Sequence, residues 1–175
     1  DLLHSRYINR HRRILENKIM DFSKDESAIG IWITTQIVEA SLDIDFDVLF
    51  TEMATADSLL QRMGRFNRAG YKSTDQPNVY VYVNNSGVRN DKKRGIYDRI
   101  IYDRSVETLR IYDGKLMSET DKRNYINEVY DINAIEGSWY FDTIKKNLDK
   151  FENLKPLDYK SKKDVDYDFR EINSI

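Results

Sequence analysis

Two arginines three residues apart are the most specific chemical feature of this sequence. Arg65 and Arg68 lie in the segment QRMGRFNR, residues 61–68. If that segment is helical, the two side chains share one face, and Gly64 beside them allows a ligand to approach closely. Guanidinium groups are planar, permanently charged donors that suit a phosphate chain and stabilise charge during phosphoryl transfer. The alternative is a solvated basic helix end whose arginines complement the helix dipole.

A second candidate segment, ITTQIVEASLDI at residues 33–44, precedes the arginines by about twenty positions. Thr35 stands where a predicted strand ends and a short helical turn over 36–41 begins. In a parallel α/β sheet, ligands bind outside the carboxyl ends of the strands, where helix amides and a hydroxyl can hold a phosphate. Thr35 and the backbone amides after it fit that role.

Alternating apolar patterns predict the elements that position these two segments. Residues 29–33 form a continuous apolar run, as expected for a strand buried on both faces of a parallel sheet. Asp57 is the predicted N-cap of the helix that carries the arginines. Strand and helix alternate in an order that predicts a right-handed, parallel α/β sheet. The predicted elements are a short strand at the start, a helix over 6–22, strands at 29–33, 47–52 and 78–83, and a helix over 58–68.

The sequence changes character after Asn84. Residues 84–93 are polar and loop-like, and the chain beyond them reads as helical. The last stretch is rich in Lys and Asp, and it reads as extended or partly ordered. The predicted helices cover residues 96–112, 118–132 and 138–151, and the tail covers 152–175.

Composition narrows the function classes. The 175 residues include 28 Lys and Arg against 30 Asp and Glu, a formal net charge of −2, so any site for a polyanion must be local. The absence of Cys excludes a disulfide framework, a thiolate zinc site and a cysteine nucleophile, and it fits a reducing cytoplasmic setting. No apolar run approaches the roughly 18 residues that a membrane span needs.

Three alternating aspartates were tested as a metal site. Asp43, Asp45 and Asp47 begin like a calcium loop, but the sixth position is Val48 where such a loop has Gly, and the twelfth is Ala54 where it has Glu. We therefore expect no metal at this segment, and we expect the second and third aspartates to lie in a solvated turn. We expect no histidine metal cluster, because the two histidines lie on different predicted elements.

The two segments together resemble motif V and motif VI of superfamily 2 helicases. The segments TTQIVEASLDIDFDVL and ADSLLQRMGRFNRAG, with LLHSRY at the start, are most similar to the CRISPR-associated helicase-nuclease of type I interference systems. The resemblance covers about residues 1–85. It implies a second RecA-like helicase domain over 1–88, helical linker or extension segments over 89–151, and the tail over 152–175.

The resemblance also implies roles in ATP binding and hydrolysis. Arg65 and Arg68 would reach across an interdomain cleft to the ATP phosphates as arginine fingers, with Gly64 beside them. Gln61 would sit beside them and link the state of the nucleotide to the DNA strand. Asp43 would face either the nucleotide ribose or the motif VI arginines.

On the nucleic-acid side, the resemblance implies that Thr35 contacts a phosphate of single-stranded DNA. Ser5 and Arg6 would lie near a backbone contact of motif IV. In DEAD-box RNA helicases the first residue of motif VI is usually His, so Gln61 favours DNA as the substrate. The resemblance further implies recruitment to an RNA-guided surveillance complex in antiviral defence.

Several expected motifs are missing from the chain. There is no G-x-x-x-x-G-K-[ST] loop, and the Gly114-Lys115 pair is followed by Leu116. The nearest match to a DExH or DEAD box, DESA at 25–28, follows no apolar strand, and no His-Asp dipeptide occurs. We therefore expect the Walker lysine, the Mg²⁺ ligands and the nuclease to belong to an N-terminal motor domain and a nuclease domain outside this chain. Alone, the chain is expected to be inactive.

A rival hypothesis is a non-catalytic module that keeps the helicase fold but only binds single-stranded DNA or regulates a partner. Two aligned arginines beside Gly64 favour the motor, because a simple grip on DNA does not need them. Nucleotide dependence separates the two hypotheses, since a grip alone binds DNA equally with or without ATP.

Overall fold

The structure is a computed structural model that describes residues 2–3, 7–35, 42–68, 70, 72, 75–89 and 95–152. Its strands form two parallel pairs. Leu2 lies opposite Ile33 in the first pair, and Leu49 lies opposite Val79 in the second. The strands are β1 (Leu2–Leu3), β2 (Ile33–Thr34), β3 (Leu49–Glu52) and β4 (Val79–Tyr82).

Six α-helices lie within the described residues, and the last four follow one another in the C-terminal part. This parallel α/β arrangement followed by helices confirms the predicted fold class. The described residues contain no helix that is both long and apolar enough to cross a membrane. The helices are α1 (Asn9–Lys24), α2 (Ala56–Met63), α3 (Arg99–Leu109), α4 (Glu119–Val129), α5 (Ile132–Ile135) and α6 (Trp139–Glu152).

The first hydrophobic core lies between α1 and the β1–β2 pair. Ile19 of α1 and Leu3 of β1 are buried together, and Leu42 and Ile44 join them from the segment after residue 41. Phe46 packs against the same cluster and places its ring 6.1 Å from that of Phe22. This core therefore fixes the chain just after the predicted phosphate-binding turn.

Helix α2 lies between two further cores. Leu59 is buried with Tyr102 of α3 in one core, and Ala56 is buried with Ile101 and Tyr125 in the other. Burying an apolar side chain of this size contributes about 1.5–3 kcal/mol. Both cores contain residues from both sides of the predicted boundary at residue 88, so α3 and α4 pack directly on α2.

The strands β3 and β4 have one covered face and one open face. Thr51 is buried and Val81 packs against the core around α2. On the opposite face Phe50 and Tyr80 stack with ring centroids 4.9 Å apart, and both are exposed. The described helices therefore cover only one side of this strand pair.

The expectation that residues 29–33 form a strand buried on both faces is wrong. Only the last of these residues belongs to β2, and Ile29, Ile31 and Ile33 are 100%, 82% and 63% exposed. They alternate along the chain and share one side, while Trp32 points to the first core. The apolar run therefore predicted neither the length of the strand nor its burial, because the described residues leave that side in solvent.

Several element bounds differ from those predicted. The helix expected over 118–132 is divided into α4 and α5, because the Asp131 side chain accepts hydrogen bonds from Asn133 N and Ala134 N and starts a new helix. The predicted helical turn at 36–41 lies outside the described residues. So does all of the predicted tail except its first residue, which ends α6.

Candidate functional site

The N-terminal end of α2 is capped by a side chain from α3. The N-cap residue Thr55 makes no side-chain cap bond of its own. Instead, Ala56 N donates to Ser105 Oγ at 3.0 Å, and the Ser105 hydroxyl donates to Ile101 O at 2.7 Å. Since the first amides of a helix have no intrahelical acceptors, the serine supplies an oxygen that the helix needs.

A second bond joins the same end of α2 to α4. The Tyr130 hydroxyl donates to Asp57 Oδ1 at 2.6 Å. Burial, and next the hydrogen bond to Asp57, raise the pKa of Tyr130 above its ordinary range, so the hydroxyl remains a donor. The Asp57 carboxylate also lies in the first turn of α2, where negative charge complements the helix dipole.

Arg62 ties the last turn of α2 to the strands. Its guanidinium donates to Thr51 Oγ1 at 2.9 Å and to Glu52 O at 3.0 Å, both in β3. It also donates to the Tyr97 hydroxyl at 3.1 Å, just before α3. This arginine of the predicted motif VI therefore faces the protein, whereas the Arg68 side chain is exposed.

The arginine pair does not lie on α2, contrary to the prediction of a helix over 58–68. The helix ends at Met63 with Gly64 as its C-cap, and Asn67 has a left-handed backbone with φ +46°. A left-handed residue cannot continue a right-handed helix. The helix also begins earlier than predicted, with Thr55 in place of Asp57 at the N-cap. The glycine directly after the last apolar helical residue was the signal for the true end.

The loop after α2 is bound to the segment that follows residue 41. Phe46 N donates to Arg65 O at 3.0 Å, and Asn67 N donates to Phe46 O at 3.1 Å. The rings of Phe46 and Phe66 lie 6.0 Å apart. Because Phe46 belongs to the first core, this bridge holds the arginine loop against that core.

An exposed ion pair brings the two predicted motifs together. Arg68 Nη1 contacts Asp43 Oδ1, and Arg68 N donates to Asp45 Oδ1 at 3.0 Å. The side chains of Arg68 and Asp43 are 52% and 83% exposed. The backbone of Arg68 is therefore fixed. Its guanidinium is exposed to solvent and is paired with a carboxylate that another anion could replace.

Lys72 neutralises the remaining aspartates of this segment. Its ammonium lies 3.0 Å from Asp47 Oδ1 and 3.5 Å from Asp45 Oδ1, and it donates to Asp45 O at 3.2 Å. The Asn67 side chain forms two bonds to the Lys72 backbone, at 2.9 and 3.1 Å, which close the loop. Within the part of the chain that the structure describes, no group of three or more His, Asp or Glu could hold a metal ion.

The other predicted site residues lie around this loop or outside the described residues. Gln61 is exposed on the last turn of α2. A Cβ on Gly64 would have ordinary contacts with Leu60 O at 3.4 Å, so local packing does not require glycine there. Thr35 is exposed, and its N–H donates to Leu3 O at 3.1 Å.

Some residues escaped prediction, and others cannot be placed. Ser5 and Arg6 lie outside the described residues. Asn67 and Lys72 were not predicted as residues of this site. An asparagine three positions after a helix-ending glycine was a signal for a left-handed turn, whereas nothing in the local sequence pairs Lys72 with residues 45 and 47.

Comparison with known proteins identifies the family that this chain resembles. Residues 1–71 match the family described as CRISPR-associated nuclease/helicase Cas3, C-terminal. A CRISPR-associated nuclease/helicase Cas3 of Methanothermobacter thermautotrophicus is 35% identical over 162 residues, which are 90% of this chain and 18% of that protein. The chain matches the C-terminal helicase part of the Cas3 family.

Solved structures show the fold. The crystal structure of T. fusca Cas3 with ATP superposes with a TM-score of 0.62 at 23% identity, over 83% of this chain and 18% of that chain. A chain described as a CRISPR RNA-guided surveillance complex, pre-nicking, superposes with a TM-score of 0.55 at 22% identity, over 83% of this chain and 20% of its own length. The RecA-like fold expected from the sequence is therefore confirmed.

This chain spans about a fifth of the length of the Cas3 proteins that it matches. The residue roles expected from motifs V and VI stay predictions, as does the division of the chain at residues 88 and 151. The chain is similar to the C-terminal helicase part of Cas3. The geometry of the Arg68 loop supports a more specific proposal.

Proposed function

We propose that this chain is the second motor domain of an ATP-dependent helicase that moves along single-stranded DNA in CRISPR interference. Residues 1–88 would form the RecA-like domain, 89–151 its helical extension, and 152–175 a tail. Arg65 and Arg68 would act as arginine fingers at an ATP site completed by an N-terminal motor domain. The similarity to Cas3, described as nuclease/helicase, supports this proposal.

The observation that carries the proposal is the position of Arg68. Its backbone is fixed by Asp45 and its guanidinium rests on the exposed carboxylate of Asp43. An exposed ion pair of this kind is worth about 0–1 kcal/mol, whereas bidentate arginine–phosphate contacts are stronger. A triphosphate that enters this edge can therefore take the guanidinium from Asp43 at little cost to the fold.

The neighbouring residues fit the same site. Arg65 is half-buried, and its carbonyl is held by Phe46 N, so its backbone is fixed as firmly as that of Arg68. Gln61 is exposed on the last turn of α2, four residues before Arg65 in the chain. Asp43 would exchange its arginine for the nucleotide ribose when the phosphates bind. These donors fit a nucleotide phosphate chain.

Mg²⁺ does not fit the described residues. The three aspartates at 43, 45 and 47 are engaged with Arg68 and Lys72, which leaves no cluster of metal ligands in the described part of the chain. We place the Mg²⁺ ligands and the Walker lysine on the N-terminal motor domain. Closure of the two domains would bring Arg65 and Arg68 to the γ-phosphoryl group, where their charge stabilises the transition state.

The DNA side of the proposal rests on Thr35, Ser5 and Arg6. Thr35 is exposed at the end of β2, at the carboxyl edge where ligands bind in parallel sheets. The nuclease domain of the same system and an RNA-guided surveillance complex are proposed as partners, since one matched structure is described as such a complex. The cysteine-free sequence favours a cytoplasmic location.

The test is ATP turnover by this chain, by an N-terminal Cas3 motor part, and by the two combined, with and without single-stranded DNA. We expect no turnover by either part alone and DNA-stimulated turnover by the combination. DNA binding by the combination should weaken with salt, because phosphate contacts release counterions. Binding of DNA that is equal with and without ATP, in the absence of turnover, would replace the motor by a non-catalytic binding or regulatory module.

A further inference from the structure

We propose that the helical extension positions the arginine loop through two hydrogen bonds at the start of α2, one that Ser105 accepts from Ala56 N and one that Tyr130 donates to Asp57. This inference rests on the proposed function, because it concerns the residues that would act at the ATP site. Both hydroxyls bond to the start of α2, whereas Arg68 follows the end of that helix, so both are positioning residues and act through α2. The helical extension would thus contribute to ATP hydrolysis by positioning the arginine loop of the motor domain.

Ser105 is the first of the two positioning residues. It is 0% exposed, and its hydroxyl accepts from Ala56 N and donates to Ile101 O. With its proton committed to the α3 carbonyl, the oxygen presents its lone pairs to α2. A buried site gives water no easy access to replace this acceptor, so removal leaves a buried amide of α2 without its partner.

Tyr130, which directly follows α4, bonds to the next residue of α2. Its hydroxyl reaches Asp57 at 2.6 Å, and its ring lies 5.5 Å from that of Tyr140 on α6. Two helices of the extension therefore hold two consecutive residues at one end of α2. A rotation of α2 would break both bonds together.

The block that makes these bonds is itself tied together. Arg104, the neighbour of Ser105, donates from Nε to Val129 O at 3.1 Å and also contacts Glu128 O, at the end of α4. Tyr125 donates to Ser105 O at 2.9 Å from α4. Helices α3 and α4 therefore present Ser105 and Tyr130 from one packed unit.

The fixed end of α2 determines the position of the other end because the helix is short and stiff. Its eight residues rise by about 12 Å. Gly64 N continues the helical bonding to Leu60 O at 2.9 Å, and Arg65 N donates to Arg62 O at 3.0 Å, so the arginine loop begins without a flexible joint. A tilt of α2 at Ala56 would therefore displace Arg65 and Arg68.

The chain offers matched controls. Ser105→Ala and Tyr130→Phe each remove one hydroxyl that bonds to α2. Ser138→Ala removes an equally buried serine hydroxyl that accepts from Phe141 N in α6, and Tyr102→Phe removes a tyrosine hydroxyl that donates to Asn84 O. The control bonds do not touch α2.

Two readouts are measured on all four variants. Hydrogen exchange of the α2 amides is followed in the full 175-residue chain alone. The kcat and the KM for ATP are measured in the combination with the N-terminal motor part. We expect Ser105→Ala and Tyr130→Phe to speed α2 exchange about fivefold and to lower kcat by a similar factor, since one such hydrogen bond contributes about 1 kcal/mol.

The KM for ATP should change less than kcat, because the proposed arginines bind the phosphates but act most strongly on the transition state. The controls should lower the melting temperature comparably while α2 exchange and kcat remain at the wild-type value. The inference is overturned if the α2-facing variants keep wild-type kcat, or if the controls lower kcat as much. If wild type shows no DNA-stimulated turnover, the proposed function fails, and exchange alone then decides: faster α2 exchange supports the positioning role, and unchanged exchange overturns it.

Discussion

The two ends of α2 are held by different kinds of interaction. At its start, Ala56 is buried and bonded to the uncharged hydroxyl of Ser105. After its end, Arg68 and Lys72 are held by ion pairs to aspartates that are mostly exposed. Buried bonds resist exchange with water and salt, whereas exposed ion pairs do not. The helix thus has one fixed end and one end whose charged side chains can change partner, as the proposed ATP-binding role of the arginine loop would require.

The fixed end can be broken through its core. Leu59→Ala removes a fully buried side chain between β3, β4 and α3, and it should lower the free energy of unfolding by about 2–5 kcal/mol. Urea denaturation monitored by circular dichroism measures this loss. Ile29→Ala is the control, because Ile29 is fully exposed in the segment before β2, and it should change stability by less than about 0.5 kcal/mol. A similar loss in both variants would mean that Ile29 is buried.

The link between α4 and α2 can be measured as a coupling energy. A double-mutant cycle with Tyr130→Phe and Asp57→Ala should give about 1 kcal/mol, because the bond has a charged acceptor and is partly exposed. Unfolding of the wild type, both single variants and the double variant supplies the four values. Strict additivity of the two single effects would remove this link from the structure.

The exchangeable end should contribute little to the fold. Asp43→Ala removes the carboxylate that holds the Arg68 guanidinium, and it should lower the free energy of unfolding by less than about 1 kcal/mol. That small loss should vanish in 1 M salt, where the Debye length is about 3 Å. Thermal melts at low and high salt provide the measurement. A loss as large as that of Leu59→Ala would show that this pair is part of the structural core.

The sequence predicted the meeting of motif V and motif VI better than it predicted their local shape. The contact between Asp43 and Arg68 was one of two placements that the family resemblance implied for the aspartate. The predicted end of the helix at residue 68 was wrong because the apolar periodicity was extended past Gly64. Beyond that glycine, Asn67 has a left-handed backbone and turns the chain back toward Phe46. That turn depends on a bridge between distant segments, which no local pattern encodes.

The helices of the extension were expected from periodicity, but their attachment to α2 was not. Ser105 and Tyr130 have no distinctive spacing relative to Ala56 and Asp57, because the bonds join residues 49 and 73 positions apart. The prediction that residues 29–33 are buried on both faces failed for a related reason. An apolar run indicates potential burial, whereas actual burial depends on which elements are present to cover it, and Ile31 is exposed.

The most direct test compares Arg68→Ala with Asp43→Ala in the combination with the N-terminal motor part, measured as DNA-stimulated ATP turnover. Arg68→Ala should lower kcat by about 10³ or more, as for arginine fingers in other nucleotide hydrolases, with the chain still folded. Asp43→Ala should lower turnover far less, since its partner would leave it for the phosphates in any case. Wild-type turnover by folded Arg68→Ala would contradict the assignment of this arginine and with it the motor proposed here.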